Sequence, residues 1–219
     1  MELEIRTLVV PFIENADEAD ETIFARGASA PIDQFPWGNE HGYTGRACAY
    51  IAYSRDALHV GYRVWEKIVK TTYTQPNDPV SYDSAVEFFF RPHADAVKPY
   101  INLEFNSIGT MLAKFSQKLG DFVYVDRSDD SRFNIRAQYS ADTIGDYAGD
   151  GWQLSFRVPF DVIREHFPTA TFRKGDVIRA NFHKCGHATA APHFMVWSNI
   201  DLPEPEFHAP TTFAALQLG

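Results

Sequence analysis

Tyr100-Ile-Asn-Leu-Glu-Phe-Asn106 alternates between apolar and polar side chains. In an extended chain successive side chains point to opposite faces, so Ile101, Leu103 and Phe105 share one face and Asn102, Glu104 and Asn106 the other. A helix would scatter the same residues around its axis, so the stretch reads as a half-buried strand. The period continues to both sides. Val86, Phe88 and Phe90 form an apolar row against Glu87 and Arg91, and Leu58, Val60, Tyr62 and Val64 form another against His59, Arg63 and Trp65. Trp152, Leu154, Phe156 and Val158 make a further row with Ser155 on the other face. Ile178, Ala180 and Phe182 do the same against Arg179, Asn181 and His183. Strands are also expected at Thr110–Phe115, Phe122–Asp126, Phe133–Tyr139, His193–Trp197 and Phe213–Leu218, about a dozen in all.

Turn signals separate these runs: Gln75-Pro-Asn-Asp-Pro79, Gly149-Asp-Gly151, Lys174-Gly-Asp176 and Leu202-Pro-Glu-Pro205. One helix is predicted at Pro159–Phe167, with Pro159 near its first turn and Asp161 at the positive end of its dipole. The acidic segment Glu14–Glu21 reads as a short helical turn or a loop. Many short strands with one or two short helices predict an all-β fold, an antiparallel, jelly-roll-like β-sandwich. No internal repeat or long linker divides the chain, so residues 1–219 are expected to form a single domain.

The composition agrees. Of 219 residues 45% are hydrophobic and 15% aromatic, which suits a pleated core and ring-stacking faces. A net charge of −9 repels phosphate backbones and anionic lipid, which argues against nucleic acid and membrane surfaces as partners. No apolar run is long enough to span a bilayer. The opening Met1–Val10 has acidic residues and no small-residue cleavage site, so it is not read as a signal peptide. The expectation is a cytoplasmic protein, unless the chain was cut from a secreted one. The two cysteines, Cys48 and Cys185, lie in different predicted strands and are expected to be free thiols.

Three strands carry unusual polar rows: Glu87; Asn102, Glu104 and Asn106; Arg179, Asn181 and His183. The face could be the wet side of an antiparallel sheet. Asn, Glu, Arg and His also fix pairs of hydrogen bonds at defined angles, as vicinal hydroxyls on a sugar require. Catalytic signatures are absent: there is no nucleophile elbow, phosphate loop, dinucleotide fingerprint or paired-histidine zinc motif. No catalytic residue and no cofactor is therefore assigned. The alternatives are a glycoside hydrolase-associated module using Glu87 with Glu104, or a metal- or haem-binding module on the same sandwich. The metal reading draws on His183, Cys185, His187 and His193, and the haem reading on His193 and Met195. The metal spacing matches no structural zinc module, and the two haem candidates are too close along one strand to clamp a haem. No metal ligands are assigned.

Several segments together resemble the family 9 carbohydrate-binding modules and their wider relatives, which share a sandwich with DOMON domains. They are Asp83-Ser-Ala-Val-Glu-Phe-Phe89, Tyr100-Ile-Asn-Leu-Glu-Phe-Asn-Ser-Ile-Gly-Thr110, Ala180-Asn-Phe-His-Lys-Cys-Gly186, Pro192-His-Phe-Met-Val-Trp-Ser198 and Phe207-His-Ala-Pro-Thr-Thr-Phe213. Pro36-Trp37-Gly38 and the Trp152–Pro159 strand also fit, in the expected order over nearly the whole chain. The resemblance implies a non-catalytic sugar-binding groove on one sheet face, with a carbohydrate ligand as partner. It places Glu87 at a motif carboxylate, His183 at a polar strand position and Phe207 at one of two rings that clamp a terminal sugar. The other clamp ring falls near Val80, where Tyr82 is the nearest aromatic residue, and Ala214 replaces a glycine. The expected ligand-binding residues are thus Tyr82, Glu87, Asn102, Glu104, Arg179, His183 and Phe207.

Overall fold

The computed structural model describes residues 5–14, 19–94, 99–118, 120–127, 129–139 and 151–219. Its strands are β1 (Thr7–Val10), β2 (Ala28–Ile32), β3 (Arg46–Tyr53), β4 (Ala57–Trp65), β5 (Ala85–Arg91), β6 (Tyr100–Asn106), β7 (Met111–Lys118) and β8 (Asp121–Tyr124). They continue with β9 (Arg136–Tyr139), β10 (Gly151–Pro159), β11 (Val177–Cys185), β12 (Phe194–Val196) and β13 (Ala214–Leu218). Two short helices accompany them, α1 (Ala19–Arg26) and α2 (Phe160–His166).

The strands form two sheets. The larger runs β1-β13-β11-β5-β6-β7-β8, with β12 also on β11, and the smaller runs β2-β3-β4-β10-β9. Pairing is antiparallel, except that β1 joins β13 in parallel. The apolar rows of the two sheets face each other: Val86, Phe88, Phe90, Leu103, Phe105 and Phe182 pack with Val60, Tyr62, Trp152, Leu154 and Phe156 in one buried cluster. Such burial supplies most of the drive for folding, since each large side chain removed from water contributes about 1.5–3 kcal/mol. The Tyr62 hydroxyl crosses the core to donate to the backbone oxygen of Glu87 at 2.7 Å, which ties β4 beneath that carboxylate-bearing strand.

Lys184 extends the inward row of β11 and is fully buried. Its Nζ lies 3.2 Å from Oε2 of Glu66 on the opposite sheet, and Trp152 and Tyr43 also donate to that carboxylate. The ammonium is thus compensated, as a buried charge must be. It also lies 2.8 Å from His193 Nε2, and the His193 ring stacks on Tyr43. His193 therefore serves the interior of this end of the sandwich.

Helix α2 takes Pro159 as its N-cap and closes where the Phe167 amide donates to Ile163. Helix α1 begins within the acidic Glu14–Glu21 segment; residues 15–18 lie outside the described set, as do Gly149 and Asp150 of one expected turn. Phe24 of α1 covers the outer face of the smaller sheet at Gly61, where a Cβ would come within 2.8 Å of its ring. Ser155, in register with Gly61, faces away from Phe156 as its row requires, yet it is buried too. The strand expected at Phe133–Tyr139 is shorter because Asp130–Phe133 form a 3-10 turn and Asn134 turns the chain at φ 45°. Among the described residues no helix is long and apolar enough to cross a membrane.

Candidate ligand-binding site

From its pattern the outer face of the larger sheet could be a wet surface or a ligand face, and on either reading it would be open. It is covered instead. Phe89 of β5, Tyr100 of β6 and Cys185 of β11 form a second apolar cluster with Ile200, Phe207, Ala209 and Phe213 of the chain entering β13. That cover leaves a cavity of about 300 Å³ over β5, β6 and β7. Glu87, Glu104 and Lys114 form its polar floor, Phe194 and Phe207 its aromatic side, and Glu206 and His208 its outer wall. The size and the mix of apolar wall with few polar groups suit a small-molecule ligand.

Cross-strand register assembles the floor. Glu87 pairs with Glu104 between β5 and β6, Glu87 also with His183 on β11, and Asn102 with Lys114 on β7. The two carboxyls therefore meet side by side. Burial pushes Glu104 up to about 8, with the charge of Glu87 adding to the rise and Lys114 and Asn102 opposing it. Burial likewise lifts Glu87 to about 7; the Cys185 thiol and Lys114 oppose that rise, and Glu206 adds to it. Both groups are moved in the same direction.

Each carboxyl is held from behind. Cys185 Sγ donates to Glu87 Oε1 at 3.2 Å. Asn102 Nδ2 donates to Glu104 Oε1 at 3.0 Å, and Asn102 Oδ1 accepts from Ser116 Oγ at 2.8 Å. Asn102 is therefore a fully buried positioning residue rather than a contact surface. His183 is also fully buried: its ring stacks parallel on Phe207 at 4.1 Å, and its Nδ1 lies 3.6 Å from Glu87 Oε2. Burial lowers its pKa to about 3, so the ring is neutral near pH 7. His208, lowered to about 4 by burial, Lys114 and His183, shares a hydrogen bond of 2.7 Å between its Nδ1 and the Tyr100 hydroxyl.

The structure thus brings Glu87, Glu104 and Phe207 to the cavity and sets Asn102 and His183 beneath it. It does not bring Arg179 there. That residue pairs with Arg91, four positions along β11 from His183 and at the far end of the strand pair. Tyr82 also falls outside the lining, although its neighbour Ser81 belongs to it. Its side chain is exposed, with the ring 5.5 Å from His187. Val80, where the second clamp ring was expected, is fully buried. Asn106 and Asn181 are committed to structure: Asn106 donates to Tyr73 and Asp83, and Asn181 to the backbone of Ser198. The suggested metal ligands diverge, since His193 faces Lys184 while His183 and Cys185 face Glu87. Among the described residues no three His, Cys, Asp or Glu side chains converge on a metal position. Met195 is buried in the main core.

Sequence reading missed Lys114, Phe194, Glu206 and His208. Lys114 is opposite Asn102, so the register of β6 on β7 would have found it.

A family model described as carbohydrate-binding family 9 matches residues 18–218. Among solved structures, a protein of Bacteroides uniformis ATCC 8492, provisionally named as carbohydrate-binding, superposes with a TM-score of 0.82 at 23% identity, covering 98% of this chain and 100% of that one. A family 9 carbohydrate-binding module of Caldicellulosiruptor kristjanssonii in complex with cellotriose gives a TM-score of 0.63 at 13% identity, over 97% of this chain and 93% of that one. Its complex with glucose gives 0.62 at 13% identity, over 98% and 96%. These likenesses bear out the sandwich fold. Against curated proteins the chain has no significant match.

Proposed function

The chain belongs to carbohydrate-binding family 9, and from that premise we propose that it is a non-catalytic module that holds a sugar in the cavity above Glu87, Glu104 and Lys114. The observation that carries this reading is the cavity itself, which sets buried, back-bonded carboxyls and one ammonium beside a phenylalanine wall. A pyranose presents hydroxyls around its rim and C–H bonds on its faces. Glu104 and Lys114 meet the rim, and Phe194 and Phe207 meet the apolar surface. Because Asn102 and Cys185 hold the carboxyls in place, little side-chain entropy is lost on binding. With Glu87 raised to about 7 and Glu104 to about 8, the floor carries little net charge near neutral pH, which suits the hydroxyls of a neutral sugar. The relatives solved with glucose and cellotriose make glucosides the first ligands to try. The common core of the two sheets supports reading residues 1–219 as one domain.

Calorimetry on glucose, cellotriose and the hits of a glycan array tests the proposal. Lys114→Met should weaken binding by about tenfold or more, the cost of losing a charged hydrogen bond, while the circular dichroism spectrum stays unchanged. A folded variant that binds as the wild type would remove this cavity from consideration.

A further inference from the structure

A cavity of about 410 Å³ lies at the end of the smaller sheet where β10 runs into α2, and it shares no lining residue with the cavity over Glu87 and Glu104. Four arginines reach it from four separate elements: Arg55 in the turn between β3 and β4, Arg132 in the 3-10 turn before β9, Arg157 on β10 and Arg164 on α2. Asp56 and Asp161 also line it. Four guanidiniums against two carboxylates leave it a formal charge of +2, in a chain whose net charge is −9.

We propose that this cavity binds the phosphate monoester of a small molecule, with Arg55, Arg157 and Arg164 on the phosphate and Pro159 and Phe160 beside the organic group. The proposal is independent of the sugar-binding reading. Three observations carry it. The first is uncommitted charge. Among the described residues Arg132 alone of the four has carboxylates within ion-pair distance, Asp161 at 3.0 Å and Glu165 at 3.4 Å. Arg55, Arg157 and Arg164 have none, and Asp56 turns its carboxylate to the Ser54 hydroxyl, which donates to it at 2.6 Å.

The second is orientation. Arg157 Nε donates to the Arg132 backbone oxygen at 2.8 Å and Arg164 Nε to that of Ala170 at 3.2 Å, so each fork is fixed at its root with its outer N–H groups left for an anion. The Arg164 guanidinium also lies over Phe160 and Phe172, 5.7 Å from each ring centre, and those two rings stack at 4.0 Å. The turn bearing Arg55 is held as well. Ser54 Oγ accepts from the amides of Asp56 and Ala57, and the Phe160 amide donates to the Asp56 backbone oxygen at 2.7 Å. Groups already held in place lose little entropy on binding.

The third is the match of charge and size. A phosphate monoester carries about −1.5 to −2 near neutral pH, which the formal charge of the lining balances. Guanidiniums also meet phosphate oxygens two at a time. The cavity is larger than a bare oxyanion fills, and the rest of its lining is Ala57, Pro159 and Phe160, an apolar wall for a small organic group. An extended polyanion would instead meet the repulsion of the acidic chain around the cavity.

Titration calorimetry at constant ionic strength, with phenyl phosphate, inorganic phosphate and phenol as probes, tests the assignment. Phenyl phosphate should bind saturably at one site per chain and at least about threefold more tightly than inorganic phosphate, and phenol should give no saturable heat. Arg157→Gln should weaken phenyl phosphate by about tenfold or more, the cost of a charged hydrogen bond. Because Arg157 also ties β10 to the 3-10 turn, Arg55→Ala serves as a second variant. Arg55 is exposed, so this change should weaken binding by at least about threefold and leave the melting temperature of the free protein unchanged. Absence of saturable binding by either phosphate, or binding that survives both substitutions, would overturn the site. Equal affinity for phenyl phosphate and inorganic phosphate would overturn its assignment to a monoester.

Discussion

Replacing Glu104 by glutamine removes one of two carboxyls that face each other between β5 and β6. In the folded protein burial holds Glu104 up to about 8 and Glu87 up to about 7. In the unfolded chain both ionise near 4.5. As pH rises above that value the unfolded state releases protons that the folded state keeps, so these groups lower stability progressively until the pair has ionised. Three buried histidines act in the opposite sense. His183, His193 and His208 are lowered to about 3, 2 and 4, so they cost stability as pH falls below 6.5. The two effects oppose each other between pH 4.5 and 6.5, and only the carboxyls act between 7 and 8. One proton retained over that unit of pH is worth about 1.4 kcal/mol, so the wild type should lose about 1 kcal/mol from pH 7 to 8. Glu104→Gln keeps an acceptor for Asn102 and removes the charge. It should be more stable than the wild type at pH 8 by about 1–3 kcal/mol, with the advantage gone near pH 5. Urea denaturation at pH 5, 7 and 8 measures the differences. A constant difference across that range, or a wild type that is the more stable protein at pH 8, would refute the account of the pair.

Phe207 lines the cavity, yet it is only 7% exposed and stacked on His183. Phe207→Ala should therefore cost about 2–4 kcal/mol in a denaturant melt as well as weaken ligand binding; a loss below about 1 kcal/mol would detach it from the apolar cluster. Cys48 is half-buried and Cys185 buried, both as free thiols. Ellman titration of denatured, unreduced protein should count both, and a value near zero would reveal a bridge. Phe156→Ala should cost about 3–5 kcal/mol as a core ring truncation. Ser155→Ala, buried on the opposite face, should cost only about 1 kcal/mol; equal losses in parallel melts would place the β10 register one residue out.

The rows of β5, β6, β10 and β11 were legible because strand periodicity is set by the backbone and needs no knowledge of neighbours. Periodicity says which residues share a face, but not what lies over that face. The row bearing Glu87, Asn102 and His183 reads from its pattern as either a wet surface or a ligand face, whereas Phe207, Ala209 and Phe213 fold back over it from a proline-rich segment with no period. That cover buries His183 and turns Asn102 from a ligand contact into a support. Arg179 shows the second limit. It shares a face with His183, but four residues of strand separate them by about 13 Å, too far for both to reach one cavity. What selects site residues from a row is cross-strand register. The pairings draw two neighbouring lines across the sheet, His183–Glu87–Glu104–Leu112 and Phe89–Asn102–Lys114. Of the polar row residues, those on these two lines meet the cavity or support it, whereas Arg179, farther along β11, does not.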